Sequence, residues 1–149
     1  MTNWTCKPFN QLTLNELYDL LQLRQAVFVV EQNCAYLDAD GRDQAAWHVI
    51  GHDETGKLVA CTRLLPVGLA YEKYASIGRV ITAESARGTG LGRELMQVSL
   101  AEIGRIFVGA PVKISAQSHL ARFYGSLGFE ATGDEYLEDG IPHVAMLLV

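Results

Sequence analysis

A glycine-rich loop between a predicted strand and a predicted helix constrains this chain more than any other feature. The loop carries Gly88, Gly90 and Gly92 at alternate positions, and a helix opens from it at about residue 91. Glycine lets successive backbone N–H groups turn toward one centre, and the helix start adds unpaired N–H groups and the positive end of its dipole. Such a site suits a diphosphate, with Arg87 and Arg93 supplying charge at its edge. The alternative is a turn whose glycines only permit tight packing of the strand against the helix.

The residues around the glycines argue against two common phosphate-binding motifs. A Walker A loop ends in Gly-Lys-Ser/Thr, whereas Gly92 is followed by Arg93 and Glu94. The dinucleotide fingerprint needs glycines at relative positions one, three and six, and the sixth residue counted from Gly88 is Arg93. The acidic residue that would bind a ribose about 20 positions further on is also missing. Nucleoside triphosphates and NAD are therefore disfavoured as ligands.

Hydrophobic periodicity predicts strands before and after a long central helix. A first helix begins at Thr13, where Glu16 completes a capping box, and an antiparallel hairpin is predicted around a turn at 53–56. The predicted elements are strands at 47–51, 58–65, 74–82, 112–116 and 143–149, helices at 91–107 and 119–127, and a loop or broken helix at 33–46. The strands at 74–82 and 112–116 are expected to pair in parallel across a right-handed crossover. The predicted fold class is α/β (α+β), a mixed, mostly antiparallel central sheet flanked by helices.

Composition indicates one domain with an ordinary core. The chain has 149 residues, 49% of them hydrophobic, and no linker or repeat divides it, so a single domain over 1–149 is expected. The net charge of −5 disfavours nucleic-acid partners, which need a basic face. Three cysteines without a C-x-x-C pair argue against a disulfide framework and a zinc site. Because neither a signal peptide nor a long apolar stretch is present, we expect a cytoplasmic protein that does not contact a membrane.

Two motifs in order resemble the GNAT family of acyl-CoA-dependent N-acyltransferases. The first is Arg87-x-x-Gly90-x-Gly92, which is similar to the pyrophosphate loop of that family. The second, about 30 residues on, runs from Ala121 to Phe129 and is similar to the family's A-x-x-F/L-Y-x-x-x-G-F segment. The segments 23–34, 77–80 and 138–143 resemble the ElaA-type branch of this family. The resemblance covers nearly the whole chain and implies a GNAT-like fold with the parallel strand pair at the cofactor cleft.

The resemblance also implies which residues bind acetyl-CoA as co-substrate. Main-chain groups of Val80, Ile81 and Thr82 would contact the pantetheine arm. The pyrophosphate would be held by a continuous set of residues in the loop, namely Arg87, Gly88, Thr89, Gly90, Leu91, Gly92 and Arg93. Gln117 stands where the family often has an asparagine that touches the cofactor, and its longer stem is a departure from that pattern.

Tyr124 is the implied general acid beside the thioester sulfur. A tyrosine pKa of about 10 against about 8.5 for a thiol makes full proton transfer uphill by about 2 kcal/mol. We therefore expect Tyr124 mainly to stabilise the departing thiolate through a hydrogen bond. The alternative is a core aromatic residue whose hydroxyl reaches solvent.

The acceptor amine needs a base, since an ordinary amine is protonated at neutral pH. His143 is a candidate because it opens the last strand after a Gly-Ile-Pro turn, and Glu31 has a similar standing at the end of the first helix. A hydrogen-bonded histidine at a strand end is the alternative for His143. The full set of candidates is Glu31, Asp38, Asp40, Glu72, Glu138, Asp139, His119 and His143.

The sequence thus predicts an N-acetyltransferase in which a primary amine of a small molecule or peptide attacks acetyl-CoA directly, without a metal. The acidic run of Asp38, Asp40 and Asp43 either attracts a cationic acceptor or is a solvated loop face. Two alternatives stay open. One is a non-enzymatic acyl-CoA-binding module, and the other is an acyltransferase similar to acyl-homoserine-lactone synthases. A homodimer is also left open as the assembly.

Overall fold

The first helix begins at the predicted capping box and ends in a widened turn. The computed structural model describes all residues from Met1 to Val149. Helix α1 (Leu14–Arg24) starts at Thr13, whose hydroxyl accepts from the Glu16 amide at 3.1 Å while the Glu16 carboxylate accepts from the Thr13 amide at 2.8 Å. The helix then widens into a π-type segment (Gln25–Glu31), in which the Gln32 amide donates to Val27, five residues back. The predicted capping box is confirmed.

Four antiparallel strands form a first sheet in chain order. They are β1 (Asn3–Pro8), β2 (Trp47–His52), β3 (Leu58–Leu65) and β4 (Ser76–Thr82). The hairpin of β2 and β3 is confirmed, and Asp53 closes its turn by accepting from the amides of Thr55 and Lys57. The sequence analysis did not predict β1, which pairs with β2 at the edge of the sheet.

The remaining three strands form a second antiparallel sheet. They are β5 (Lys113–Gln117), β6 (Phe129–Glu138) and β7 (Ile141–Leu148), and β7 lies between the other two. The sequence analysis missed β6, because nearly all of its residues are exposed and its Gly133 has a positive φ of 73° where the register with β7 shifts. A polar edge strand of this kind lacks the apolar alternation that predicts a strand.

The predicted parallel pairing of the strands at 74–82 and 112–116 is wrong. These segments meet at one parallel bridge between Ala75 and Val112 and then diverge, so the chain forms two antiparallel sheets instead of one mixed sheet. The register of β3 and β4 shifts by one residue next to Arg79, which has a φ of +50°. A bulge of this kind bends its strand. Beyond the bridge, the edge of β4 that faces away from β3 therefore carries no strand partner.

Helices pack on both faces of the first sheet and join it to the second. Helix α2 (Leu91–Ile106) packs Leu95, Met96 and Ile103 into a core shared with Ile114 of β5 and Met146 of β7. Helix α1 lies against the opposite face in a smaller apolar cluster. The predicted helix at 119–127 is shorter, with α3 (Ala121–Gly125) following a single 3₁₀ turn. No helix combines the length and apolar character needed to cross a membrane.

Candidate active site

A cleft of about 200 Å³ opens where the two sheets diverge. Val80 of β4, Gln117 of β5 and Tyr124 of α3 all line it. The odd-numbered residues of β5 and His143 of β7 lie on the sheet face opposite α2, since side chains alternate along a strand and Ile114 points toward α2. The cleft therefore has one side next to α2 and another beneath the loop at 33–46.

The glycine loop presents an unbroken row of unpaired amides at the start of α2. No carbonyl or side chain accepts from the amides of residues 88–93, and the first amide to bond is that of Glu94, which donates to Gly90 at 3.1 Å. Gly88 and Gly90 both have a φ of +82°, a backbone conformation that glycine adopts without strain. Free amides at a helix start form an anion site.

The space around the glycines argues against the packing explanation. A Cβ placed on Gly88, Gly90 or Gly92 would meet no atom within 4 Å. Gly92 also has an ordinary backbone conformation, so nothing within the fold demands glycine there. Close approach of a ligand to the backbone does explain a glycine at this position.

The two arginines of the loop are held by contacts on opposite sides of it. Arg87 donates to the Thr82 carbonyl at 3.1 Å and forms an ion pair with Glu31 at 2.7 Å. Arg93 donates to the Ser126 hydroxyl at 2.8 Å. Both arginines stay exposed, so both remain accessible to an anion bound at the loop.

The predicted pantetheine contacts fall on the unpaired edge of β4. Val80 lines the cleft, whereas the Ile81 side chain is buried in the cluster beneath α1. The Thr82 carbonyl already accepts from Arg87. Gln117 of β5 also lines the cleft. Its side-chain amide donates to the Gln32 side chain at 3.4 Å, which links β5 to the segment after α1.

Tyr124 brings a hydroxyl into the cleft that has no protein hydrogen-bond partner. Its ring is buried and makes edge contacts with Phe123 and Phe129 at centroid distances of 5.2 and 6.1 Å. Burial raises the pKa of Tyr124 to about 12. The hydroxyl is therefore protonated and free to donate a hydrogen bond.

His143 belongs to a polar cluster on the cleft side away from α2. Its Nδ1 lies 2.6 Å from the Ile141 carbonyl and its Nε2 lies 3.4 Å from the Glu138 carboxylate. A carbonyl only accepts, so Nδ1 carries the proton and Nε2 of the neutral ring offers a lone pair. Ser115 extends the cluster by contacting the Tyr136 hydroxyl at 2.5 Å and donating to Glu138 at 3.2 Å.

The other base candidates divide by location. Glu138 and Asp139 line the same cleft as His143. Glu31 is instead paired with Arg87 and lies outside the residues that line this cleft, as do Glu72 and His119. The cleft thus brings Tyr124 together with His143 and not with Glu31.

The acidic run is neither a solvated face nor a free anionic surface, because three arginines bind its carboxylates. Asp38 and Asp43 are buried and both bind Arg24 at 2.8 Å. Arg63 holds Asp40 through two bonds of 2.7 and 2.8 Å and reaches Asp43 at 3.0 Å. The third arginine is Arg79, which binds Asp38 at 2.8 Å. Hydrogen bonds from Arg63 lower the pKa of Asp40, so its charge is kept and neutralised internally.

Sequence analysis also missed several residues that line the cleft. Tyr36 and Arg42 come from the loop at 33–46, and Tyr71 comes from the segment before β4. Ser115 and Tyr136 support His143 from strands that no motif marks. Only tertiary packing brings these residues together, and the sequence carries no local signal for it.

The geometry agrees with what comparison to known proteins finds. The model of the acetyltransferase (GNAT) domain family matches residues 27–149. The chain belongs to the GNAT family. A solved acyl-CoA N-acyltransferase of Pseudomonas aeruginosa is 45% identical, with a TM-score of 0.94 and full coverage of both chains. The crystal structure of Escherichia coli ElaA is 40% identical, with a TM-score of 0.93 and full coverage.

This GNAT protein is thus a close homologue of Escherichia coli ElaA. A UPF0039 protein of Synechocystis is also 41% identical over 145 residues, covering 97% of this chain and 94% of that protein.

Proposed function

We propose that this protein transfers an acetyl group from acetyl-CoA to a primary amine. The observation that carries the proposal is the row of free amides at 88–93, together with the contact of Arg93 with Ser126, two residues after Tyr124. An anion site built from backbone groups suits a pyrophosphate, and the unpaired edge of β4 suits the amide-bearing arm that follows it.

The residues present fit coenzyme A. The amides of Gly88 to Arg93 would hold the pyrophosphate, with Arg87 and Arg93 at its margin. Val80, Ile81 and Thr82 would offer main-chain groups to the pantetheine arm, and Gln117 would face it from β5. Gly92 supports this fit, because the absence of a side chain leaves the amides open to close approach.

His143 and Tyr124 would divide the proton chemistry. Nε2 of His143 accepts a proton from the acceptor ammonium, and the free amine then attacks the thioester carbonyl carbon. The new C–N bond forms as the C–S bond breaks, and the electron pair leaves on sulfur as a thiolate. The second proton that the new amide nitrogen loses converts this thiolate to the free thiol. Tyr124 donates a hydrogen bond to that thiolate. With a pKa of about 12 against about 8.5 for the thiol, complete proton transfer from Tyr124 is uphill by about 5 kcal/mol.

A thiol-release assay with acetyl-CoA and a panel of amines tests the proposal. We expect CoA release that depends on an added amine and falls at least about tenfold in His143→Gln, with cofactor binding kept. His52→Gln is the matched control, because His52 lies outside the residues that line the cleft. Acetyl-CoA binding without amine-dependent release would refute the transferase and leave a binding module.

A further inference from the structure

One arginine of the cleft has no partner for its charge. Arg42 lines the cleft from the loop at 33–46, and its guanidinium forms no hydrogen bond or ion pair. Only its backbone amide is engaged, by donation to Asp40 at 3.1 Å. The other arginine that lines the cleft, Arg79, is bound to Asp38 and Asp40. Of the two arginines that line the cleft, only Arg42 has a guanidinium that no carboxylate of the protein binds.

The loop that carries Arg42 is fixed in place. Asp40 lies two residues before Arg42 and is held by two bonds to Arg63, while Asp43 directly after it is buried against Arg24. Arg42 thus stands between two anchored carboxylates. Its backbone position is set by the fold, and its side chain is free to bind a ligand.

Two carboxylates bring the opposite charge to the same cleft. Glu138 has a half-exposed carboxylate beside Nε2 of His143, and Asp139 follows it in the turn between β6 and β7. Tyr71 lines the same cleft. The pKa of Tyr71 is raised to about 12, mainly by burial; the Glu138 charge contributes to this rise and the Arg42 charge opposes it, so both charges act on one phenol.

We propose that the acceptor is a small zwitterion, an amino acid whose free carboxylate binds Arg42 while its ammonium group lies between Glu138 and His143. This inference rests on the proposed transferase function. A guanidinium matches a carboxylate through paired N–H donors, and Glu138 attracts the ammonium that His143 must deprotonate.

The size and walls of the cleft favour a free amino acid over a peptide. The space of about 200 Å³ is small for a drug-sized ligand, and it must also hold the reacting thioester. Phe28, Tyr36 and Tyr71 line it. An acceptor with an apolar side chain of modest size therefore fits these surroundings best.

Matched acceptors separate carboxylate recognition from amine recognition. For each of several apolar amino acids, kcat/KM is measured with the free acid, its carboxamide and the decarboxylated amine. An ω-amino acid series then varies the distance between the two charges. The amine of a carboxamide is less basic than that of the free acid and holds more free base at neutral pH. A preference for the free acid therefore cannot come from protonation of the amine.

We expect kcat/KM for the free acid to exceed that for the carboxamide by at least about tenfold, the range of one charged hydrogen bond. Arg42→Gln should remove this preference by lowering kcat/KM for the free acid far more than for the carboxamide, and Arg42→Lys should keep part of the preference. Arg105→Gln is the control, because it removes an arginine on the exposed end of α2.

Two results would overturn the inference while leaving the transferase intact. One is equal use of acid and carboxamide by the wild-type protein, and the other is a loss in Arg42→Gln that is the same for both. If no acceptor of any class releases CoA, the proposed function fails and the inference fails with it. Because the Arg42 guanidinium has no partner in the fold, its replacement should leave the melting temperature unchanged.

Discussion

Replacing Tyr124 by phenylalanine removes one hydroxyl and almost nothing else. The ring keeps its edge contacts with Phe123 and Phe129, and the hydroxyl has no protein partner to lose. We therefore expect the free energy of unfolding to change by less than about 0.5 kcal/mol. Any effect on turnover then reports on the reaction and not on folding.

The size of that effect follows from the role of the hydroxyl. A hydrogen bond to a charged group contributes about 1.5–3 kcal/mol, so kcat should fall between about tenfold and about a hundredfold. The affinity for acetyl-CoA should be unchanged, because that hydrogen bond strengthens only as charge develops on sulfur. Turnover is measured by thiol release, affinity by calorimetry, and Tyr18→Phe on the exposed face of α1 is the matched control.

The pH profile provides the sharper test. With a pKa of about 12, Tyr124 stays protonated throughout the usable pH range, so wild type and Tyr124→Phe should have profiles of the same shape. A falling limb near pH 8–9 that is present in the wild type and missing in the variant would contradict this. It would mean that the pKa of Tyr124 is lowered to near that of the thiol, and that Tyr124 transfers its proton fully. Unchanged turnover would refute a role for the hydroxyl altogether.

Three further predictions follow from the loop and the arginine network. Gly92→Ala should fold normally, since a Cβ there meets nothing, yet bind CoA about tenfold more weakly by calorimetry, because the methyl group blocks approach to the amides. Glu31→Gln should tighten CoA binding by up to about fivefold at low salt and by less at high salt, because it frees Arg87 from a half-exposed ion pair. Asp43→Asn should lower the free energy of unfolding in urea by about 3–5 kcal/mol, whereas the exposed Asp19→Asn should not. In the wild type, the pKa of Asp40 and that of Asp43 are lowered in the folded state, so their stabilisation is present above about pH 4 and is lost as the pH falls below the unfolded-state value.

Local signals in the sequence predicted the parts of the fold that local interactions determine. The capping box at Thr13, the turn at Asp53 and the glycine loop each depend on residues within a few positions of one another, and each is present in the structure. The motif residues Tyr124 and His143 were also predicted, and both line the cleft.

The missing parts depend on contacts between distant segments. Divergence of β4 from β5 follows a bulge at Arg79, a residue that no pattern marks as unusual. The arginine partners of the acidic run lie between 14 and 41 residues away from it in sequence. Arg42, the arginine inside the run, pairs with none of its carboxylates, so the run resembles a solvated loop in sequence although tertiary packing pairs all three of them with distant arginines.

The ion pairs between the acidic run and the arginines hold the cleft in shape. Arg79 has a left-handed backbone conformation that costs a non-glycine residue about 1 kcal/mol or more, and its bonds to Asp38 offset that strain. The same carboxylate binds Arg24, so the β4 bulge that borders the cofactor cleft and the loop that carries Arg42 share one anchor. The acidic run therefore builds the site and leaves no free charge for an acceptor. The charges that remain available in the cleft are a cation at Arg42 and anions at Glu138 and Asp139, and such an arrangement selects for a ligand that carries both signs.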